Sequence, residues 1–281
     1  MQINAFLFAL VAACYIQSCI GARIVVIYAM SSKSHIFAVM PLVEELAERG
    51  HQVTFISPFK GIAKNVKDVR EITLPKAAKI VEDTSVIDWF AMQKSGKAQM
   101  FSMFYFIKGF SLQCAEEILT HPEFLDIVKK RDVDLFMVDG YFHEFLYPVF
   151  DLMKVPFISH GSSSAFPATL SAMGIPVQYA AVPSPFTDFS NQMTFFQRML
   201  NVVADKTFKI VHELYVLKDM NAIVQKHFPG ARHITEMEGE ASIHLVNSHP
   251  MTNWVRSLSP AVVPLGALHT RPAKPLPEVS D

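Results

Sequence analysis

The amino-acid sequence predicts an α/β fold in which a doubly wound parallel sheet is covered by helices on both faces. Short apolar runs rich in β-branched residues recur along the chain, and segments with helical spacing separate them. Such uninterrupted apolar runs are typical of strands that are buried on both faces of a parallel sheet. Hydrophobic residues make up 51% of the 281 residues and charged residues 18%, so the composition excludes disorder over most of the chain.

The first predicted elements form a strand–helix–strand unit. Residues 23–29 predict a strand, and residues 35–49 predict a helix that ends at Gly50. Pro41 is the one unfavourable residue within that helix. Residues 52–57 predict the next strand, which completes a βαβ unit.

Shorter strands and aromatic-rich helices follow. Further strands are predicted at residues 72–74, 134–139, 156–159, 243–246 and 262–265. Helices are predicted at residues 142–153, at 195–226 and over most of 86–120. This alternation indicates one domain over residues 22–270, followed by a proline-rich linker at 271–281.

The amino terminus has the pattern of a secretory signal peptide. Residues 5–16 are uncharged and apolar, and this run is too short to span a bilayer. The small residues Cys19 and Gly21 suit a cleavage site, so we predict a signal peptide at residues 1–21, with a buried first strand as the alternative. Cys114 would then be the one remaining thiol and could form no internal disulfide.

Several functional classes are excluded by what the sequence lacks. The chain has 25 basic and 26 acidic side chains, without the basic excess typical of a nucleic-acid-binding protein. Glycine-rich phosphate loops, HExxH, CxxC and GxSxG are absent. His244 and His249 have no carboxylate or cysteine nearby in the sequence, so no metal site is predicted. A hydrolase that uses Ser162 within residues 160–164 is an alternative, although the nucleophile-elbow glycines are missing.

Two titratable residues are predicted at the edge of the sheet where a ligand would bind. In an open parallel sheet the ligand crevice lies beyond the carboxyl ends of the strands. His35 follows the first strand at the start of its helix, Asp139 ends a later strand, and Asp134 begins that strand at the opposite edge. A histidine beside a carboxylate is suited to general-base catalysis. The alternative is that His35 is a helix cap or a surface residue.

Residues 100–107 are rich in methionine and phenylalanine and are apolar on nearly every helical face. This pattern predicts either a helix packed in the core or the lining of a pocket for a lipophilic ligand, since Met and Phe adapt to varied shapes. The two interpretations are compatible.

Four blocks of the sequence occur in the order found in a known family. They are ARIVV with SKSH, PL and LAERGHQVTFIS; DLFMVDG; VPSPFTD with MTF and Arg198; and NSHP with VPLG and KPLP. Over essentially the whole chain they resemble the amino-terminal half of animal UDP-glycosyltransferases, and in particular the insect members.

The resemblance implies a GT-B architecture, in which two Rossmann-like domains face each other across a cleft and the amino-terminal one binds the acceptor. It implies that His35 removes a proton from a hydroxyl of a small lipophilic acceptor and that Asp139 holds the His35 ring. The acceptor oxygen would then displace UDP from the sugar with inversion. It further implies acceptor contacts from Ser34, Met100, Phe104 and Ile107.

The resemblance also implies partners and a location. The co-substrate would be a UDP-sugar, with UDP-glucose favoured, and no other cofactor is expected. The endoplasmic reticulum lumen is the expected compartment, with a membrane anchor only in a product that has a carboxy-terminal helix.

One departure from the family pattern is large. The donor half, with its signature of His, Gly, Gln and acidic residues, is not among these 281 residues. We therefore expect a hexosyltransferase by family, with no measurable sugar transfer by these residues alone. The alternative is a non-catalytic module that binds lipophiles or pairs with full-length transferases in a homo- or hetero-oligomer.

Overall fold

The computed structural model describes residues 21–84, 98–249 and 251–273, except for the side chains of residues 83, 84 and 98–104. Within these residues a seven-stranded sheet comprises β1 (Arg23–Ile27), β2 (Gln52–Ser57), β3 (Val69–Thr73), β4 (Leu135–Asp139), β5 (Phe157–Gly161), β6 (Ile243–Val246) and β7 (Val262–Pro264). The strand order is β3-β2-β1-β4-β5-β6-β7, and every neighbouring pair is parallel. This topology confirms the predicted α/β, Rossmann-like fold.

Helices lie between β1 and β2, between β3 and β4, between β4 and β5 and between β5 and β6. They are α1 (Lys33–Glu48), α2 (Pro75–Thr84), α3 (Ala98–Thr120), α4 (Pro122–Lys130), α5 (Tyr147–Met153), α6 (Pro167–Ala172), α7 (Phe195–Val211) and α8 (Lys218–His227). A π-helical segment, His212–Leu217, joins α7 to α8, so that the predicted helix at 195–226 is one continuous helical segment.

Strand β1 illustrates why the sheet is covered on both faces. Its alternate residues Ile24 and Val26 pack into a cluster with α1, whereas Val25 and Ile27 pack into a second, larger cluster on the other face. Because side chains alternate along a strand, a run that is apolar at every position buries both faces. The apolar run at residues 24–27 therefore fixes the strand at the centre of the sheet.

The strand order reverses at β1 and β4. The chain leaves β1 towards β2 and β3 on one side, and later crosses back to place β4 on the other side of β1. The loops after β1 and β4 therefore diverge and leave a crevice at the carboxyl ends of these two strands. The candidate site lies in this crevice.

Two predicted elements differ from the structure. The helix expected at residues 142–153 begins later, because a tight loop and a short 3₁₀ turn, Glu144–Leu146, precede α5. Pro148 is accommodated in the first turn of α5, where its missing N–H costs nothing. The third strand is Val69–Thr73 rather than 72–74, and Pro75 begins α2 instead of merely ending the strand.

Some predicted features lie outside the described residues. These are residues 1–20 of the predicted signal peptide, residues 85–97 of the predicted helical region and residues 274–281 of the predicted linker. Among the helices that are described, none has the length and apolar character needed to cross a bilayer. Cys114 is a free, fully buried thiol, and burial raises its pKa.

Candidate functional site

His35 and Asp139 meet at the crevice between β1 and β4. Asp139 is the last residue of β4, and His35 is the third residue of α1, directly beyond the loop that follows β1. Nδ1 of His35 lies 2.7 Å from Oδ2 of Asp139. Asp139 is only 1% exposed, whereas the His35 side chain keeps 31% of its surface accessible. Asp139 is thus buried in the protein, whereas the His35 side chain is accessible from the crevice.

The two side chains stabilise each other in the charged state. Burial acts to lower the pKa of His35, but the hydrogen bond and the charge of Asp139 outweigh it, and the pKa of His35 is raised. Burial likewise acts to raise the pKa of Asp139, but the hydrogen bond and charge of His35, with the hydrogen bond from Ser31, outweigh it, and that pKa is lowered. An ionised carboxylate can only accept, so the His35 Nδ1–H donates to Asp139 and Nε2 is left as the basic nitrogen.

Two further groups hold the Asp139 carboxylate. The Ser31 hydroxyl donates to Oδ2 at 2.5 Å, and the backbone N–H of Tyr141 donates to Oδ1 at 3.2 Å. The Tyr141 ring also meets the edge of the His35 ring, with 5.5 Å between centroids and 62° between planes. Both carboxylate oxygens are therefore occupied, which fixes the rotamer that Asp139 presents to His35.

Two buried histidines lie on the neighbouring strands β5 and β6. The Tyr28 hydroxyl lies 2.6 Å from Nδ1 of His160, and the Ser159 hydroxyl lies 2.6 Å from Nδ1 of His244. Burial lowers the pKa of both His160 and His244 to about 4, so both rings are neutral at physiological pH.

The alternative hydrolase site finds no support among the described contacts. Nδ1 of His160 is engaged by Tyr28, and its Nε2 is buried without a hydrogen-bond partner among the described residues. Ser162 accepts a hydrogen bond through its backbone carbonyl, from the side-chain amide of Asn247. A serine–histidine pair is therefore not formed there.

The other predicted site residues lie in varied settings. Ser34 is exposed, and its hydroxyl lies 2.7 Å from that of Ser32. Ile107 is buried within α3, whereas the side chains of Met100 and Phe104 lie outside the described residues. Asp134 pairs with Arg23 at the opposite, amino edge of the sheet. The predicted acceptor contacts of Ser34, Met100, Phe104 and Ile107 stay predictions.

Sequence reasoning missed Ser31, Tyr141 and His143. Each lies within four residues of the carboxyl end of β1 or β4, which is the available signal, because polar residues at that edge face the crevice. Among the residues that the structure describes, no group of three His, Cys, Asp or Glu side chains could hold a metal ion.

The chain is a Rossmann-like domain with a histidine–aspartate pair at the switch point of its sheet, and its family follows from comparison with known sequences. A sequence profile described as "UDP-glucoronosyl and UDP-glucosyl transferase" matches residues 23–280. The chain therefore belongs to this family of glycosyltransferases.

Individual relatives are similar over nearly all of this chain. UDP-glycosyltransferase UGT5 of Dactylopius coccus is 25% identical over 97% of this chain and 52% of its own length. UDP-glucuronosyltransferase 2B15 of Rattus norvegicus is 23% identical over 87% of this chain and 49% of its own length. The chain thus spans about half the length of the curated relatives it matches.

Solved structures of glycosyltransferases are also similar to it. The glycotransferase of kitacinnamycin is 15% identical, with a TM-score of 0.45, over 81% of this chain and 46% of that one. CalG4, the calicheamicin glycosyltransferase, is 13% identical, with a TM-score of 0.45, over 87% of this chain and 53% of that one.

Proposed function

We propose that this chain is the acceptor-binding, amino-terminal half of a GT-B UDP-glycosyltransferase that transfers a hexose, with inversion, to a hydroxyl of a small lipophilic acceptor. The observation that carries the proposal is the 2.7 Å contact between His35 and the buried Asp139 at the switch point of the sheet. Family membership gives this pair its reaction class, because a base beside a crevice is what activation of an acceptor hydroxyl requires.

In the proposed mechanism the acceptor hydroxyl lies against Nε2 of His35. The proton moves to Nε2 as the acceptor oxygen forms its bond to the anomeric carbon, and the bond from that carbon to the UDP oxygen breaks, so UDP leaves with the electron pair. The new imidazolium is stabilised by Asp139, which its Nδ1–H already contacts. Attack opposite the leaving group inverts the anomeric centre.

In the proposal the UDP-sugar is bound by the half of the relatives' length that this chain does not match. The co-substrate in the proposal is a UDP-sugar, with UDP-glucose favoured, and groups that hold its diphosphate are expected outside these residues. The proposed compartment is the endoplasmic reticulum lumen. Met100, Phe104 and Ile107, with Ser34, are proposed to contact the acceptor.

A second candidate function rests on the coverage of the relatives, which is about half of their length. In that case the chain is a non-catalytic module that binds lipophiles or associates with full-length transferases. Sequencing the transcript beyond Asp281 separates the two candidates: an open frame into a donor domain supports the enzyme, and a stop codon supports the module.

The catalytic role is tested in the product of that longer transcript, with UDP-glucose and a panel of phenols. His35→Ala removes the base, so we expect kcat to fall by about 10²- to 10⁴-fold. The control is His51→Ala, which removes an imidazole that accepts the Ala22 N–H at the opposite edge of the sheet. Normal turnover by His35→Ala would show that the assignment is wrong.

A further inference from the structure

A single buried imidazole joins the loop that precedes His35 to the loop that follows Asp139. Nε2 of His143 accepts the backbone N–H of Met30 at 3.0 Å, and Nδ1 lies 2.7 Å from the carbonyl oxygen of Tyr141. Met30 belongs to the loop between β1 and His35, and Tyr141 follows Asp139 in the loop after β4. His143 therefore spans the switch point from one side to the other.

Each nitrogen of this ring makes a hydrogen bond, and only the neutral form of the ring can make both. The Tyr141 carbonyl can only accept and the Met30 N–H can only donate, so Nδ1 carries the proton and Nε2 carries the lone pair. Burial lowers the pKa of His143, although the charges of Asp139 and Glu144 act to raise it and that of His35 to lower it. The side chain is 0% exposed, so it cannot contact a substrate directly.

The backbone at this point is held in an unfavourable conformation. Phe142 has φ of 60°, in the left-handed region, and it lies between Tyr141 and His143. For a residue with a side chain this conformation is sterically unfavourable. The bond from the His143 ring to the Tyr141 carbonyl closes the loop across Phe142, and the ring stacks on Phe145 with 5.9 Å between centroids. The strain is thus offset by contacts of His143.

We propose that His143 is a positioning residue that holds the loops after β1 and β4 in register, so that His35 stays in hydrogen-bond contact with Asp139. The inference rests on the proposed function, because it concerns the same base. Loss of the bridge would free the Met30 and Tyr141 loops to separate. His35 directly follows the first of these loops and Asp139 directly precedes the second, so the contact between the two side chains would lengthen.

The test reads the His35 ring directly in the purified chain, without any need for turnover. Imidazole signals are followed against pH by two-dimensional NMR, and His35→Gln identifies the His35 signal. His143→Phe removes both bonds of the bridge, whereas His143→Asn keeps an N–H for the Tyr141 carbonyl. His51→Ala is the matched control, because it removes a similar imidazole bond, 3.0 Å long, at the opposite edge. Circular dichroism confirms that each variant is folded.

We expect the His35 signal to titrate at a lower pH in His143→Phe than in the unmodified chain. His143→Asn should lie between the two, and it carries the comparison if the phenylalanine variant does not fold. His51→Ala should match the unmodified chain. An unchanged His35 titration in a folded His143 variant would overturn the positioning role and leave the base assignment intact. A His35 that titrates at or below its ordinary pKa in the unmodified chain would show that the charged pair with Asp139 does not form, and it would also overturn the positioning role. The proposed function fails separately, if His35→Ala in the longer product keeps normal turnover.

Discussion

Replacing Asp139 by asparagine tests whether the site depends on a charged, buried pair. The carboxylate accepts three hydrogen bonds, from His35, Ser31 and the Tyr141 N–H. An asparagine whose oxygen faces His35 and Ser31 keeps two of them as neutral bonds. Its NH₂ group then faces the Tyr141 N–H, and since both groups are donors, no hydrogen bond can form between them.

The size of the effect follows from these contacts. A hydrogen bond to a charged group contributes about 1.5 to 3 kcal/mol, against about 1 kcal/mol for a neutral one. Weakening two bonds and losing the third therefore lowers the free energy of unfolding by about 3 kcal/mol, within the range for breaking a buried ion pair. The variant should still fold, because the volume and shape of the side chain are kept.

The loss should depend on pH. Because the pKa of His35 is raised in the folded state, this residue contributes its full stability below its ordinary pKa of about 6.5. That contribution is lost as the pH rises through the raised pKa. The lowered pKa of Asp139 makes its contribution complete above about 3.9 and lost as the pH falls through the lowered one. The penalty of Asp139→Asn is therefore largest between about pH 4 and 6.5. Above that window it declines by about 1.4 kcal/mol for each unit by which Asp139 raises the pKa of His35.

Urea unfolding at about pH 5.5 and about pH 8.5 measures this difference. The control is Asp205→Asn, since Asp205 is 2% exposed and accepts the Tyr179 hydroxyl at 2.6 Å instead of pairing with a histidine. Its penalty should be equal at both pH values. If Asp139→Asn also lost equal stability at both, the charged pair would not form and the reasoning from it would fail.

Two smaller predictions follow from individual hydrogen bonds. Ser31→Ala removes the hydroxyl that donates to the charged Asp139, and urea unfolding at neutral pH should reveal a loss of about 1.5 to 3 kcal/mol; unchanged stability would mean that the bond contributes nothing. Thr194→Ala opens the capping box that Thr194 and Gln197 form at the start of α7. It should cost about 1 kcal/mol in thermal or urea unfolding, whereas Thr194→Ser, which keeps the capping oxygen, should cost much less.

The sheet could be predicted from the sequence because each strand is a local signal. The runs at β1 and β4 are apolar at four of five positions, and such a run is typical of a strand at the centre of a parallel sheet. The loop after Asp139 could not be predicted in this way. Its Phe142 adopts a left-handed conformation, and apolar spacing at residues 142–153 instead favoured a helix through it. The conformation of that loop is held by the bond between His143 and Met30, which lie far apart in the sequence.

Some residues of the candidate site could be predicted from the sequence and others could not. His35 and Asp139 could be placed at one edge because chain order alone puts the carboxyl ends of parallel strands together. Ser31, Tyr141 and His143 act through distances between loops that are about a hundred residues apart in sequence, which no local pattern encodes. Their identity as partners of the pair became visible only once the loops after β1 and β4 were adjacent.

The contacts that orient the proposed base all come from this one domain. Asp139, at the end of β4, bonds the His35 ring directly, whereas Ser31 holds Asp139 and His143 bridges the loops after β1 and β4. A base whose protonation and direction are set within one fold has no need to be assembled by closure of a second domain. The protonation of His35 can therefore be measured in this chain alone, without the groups that the proposed function needs to bind a UDP-sugar.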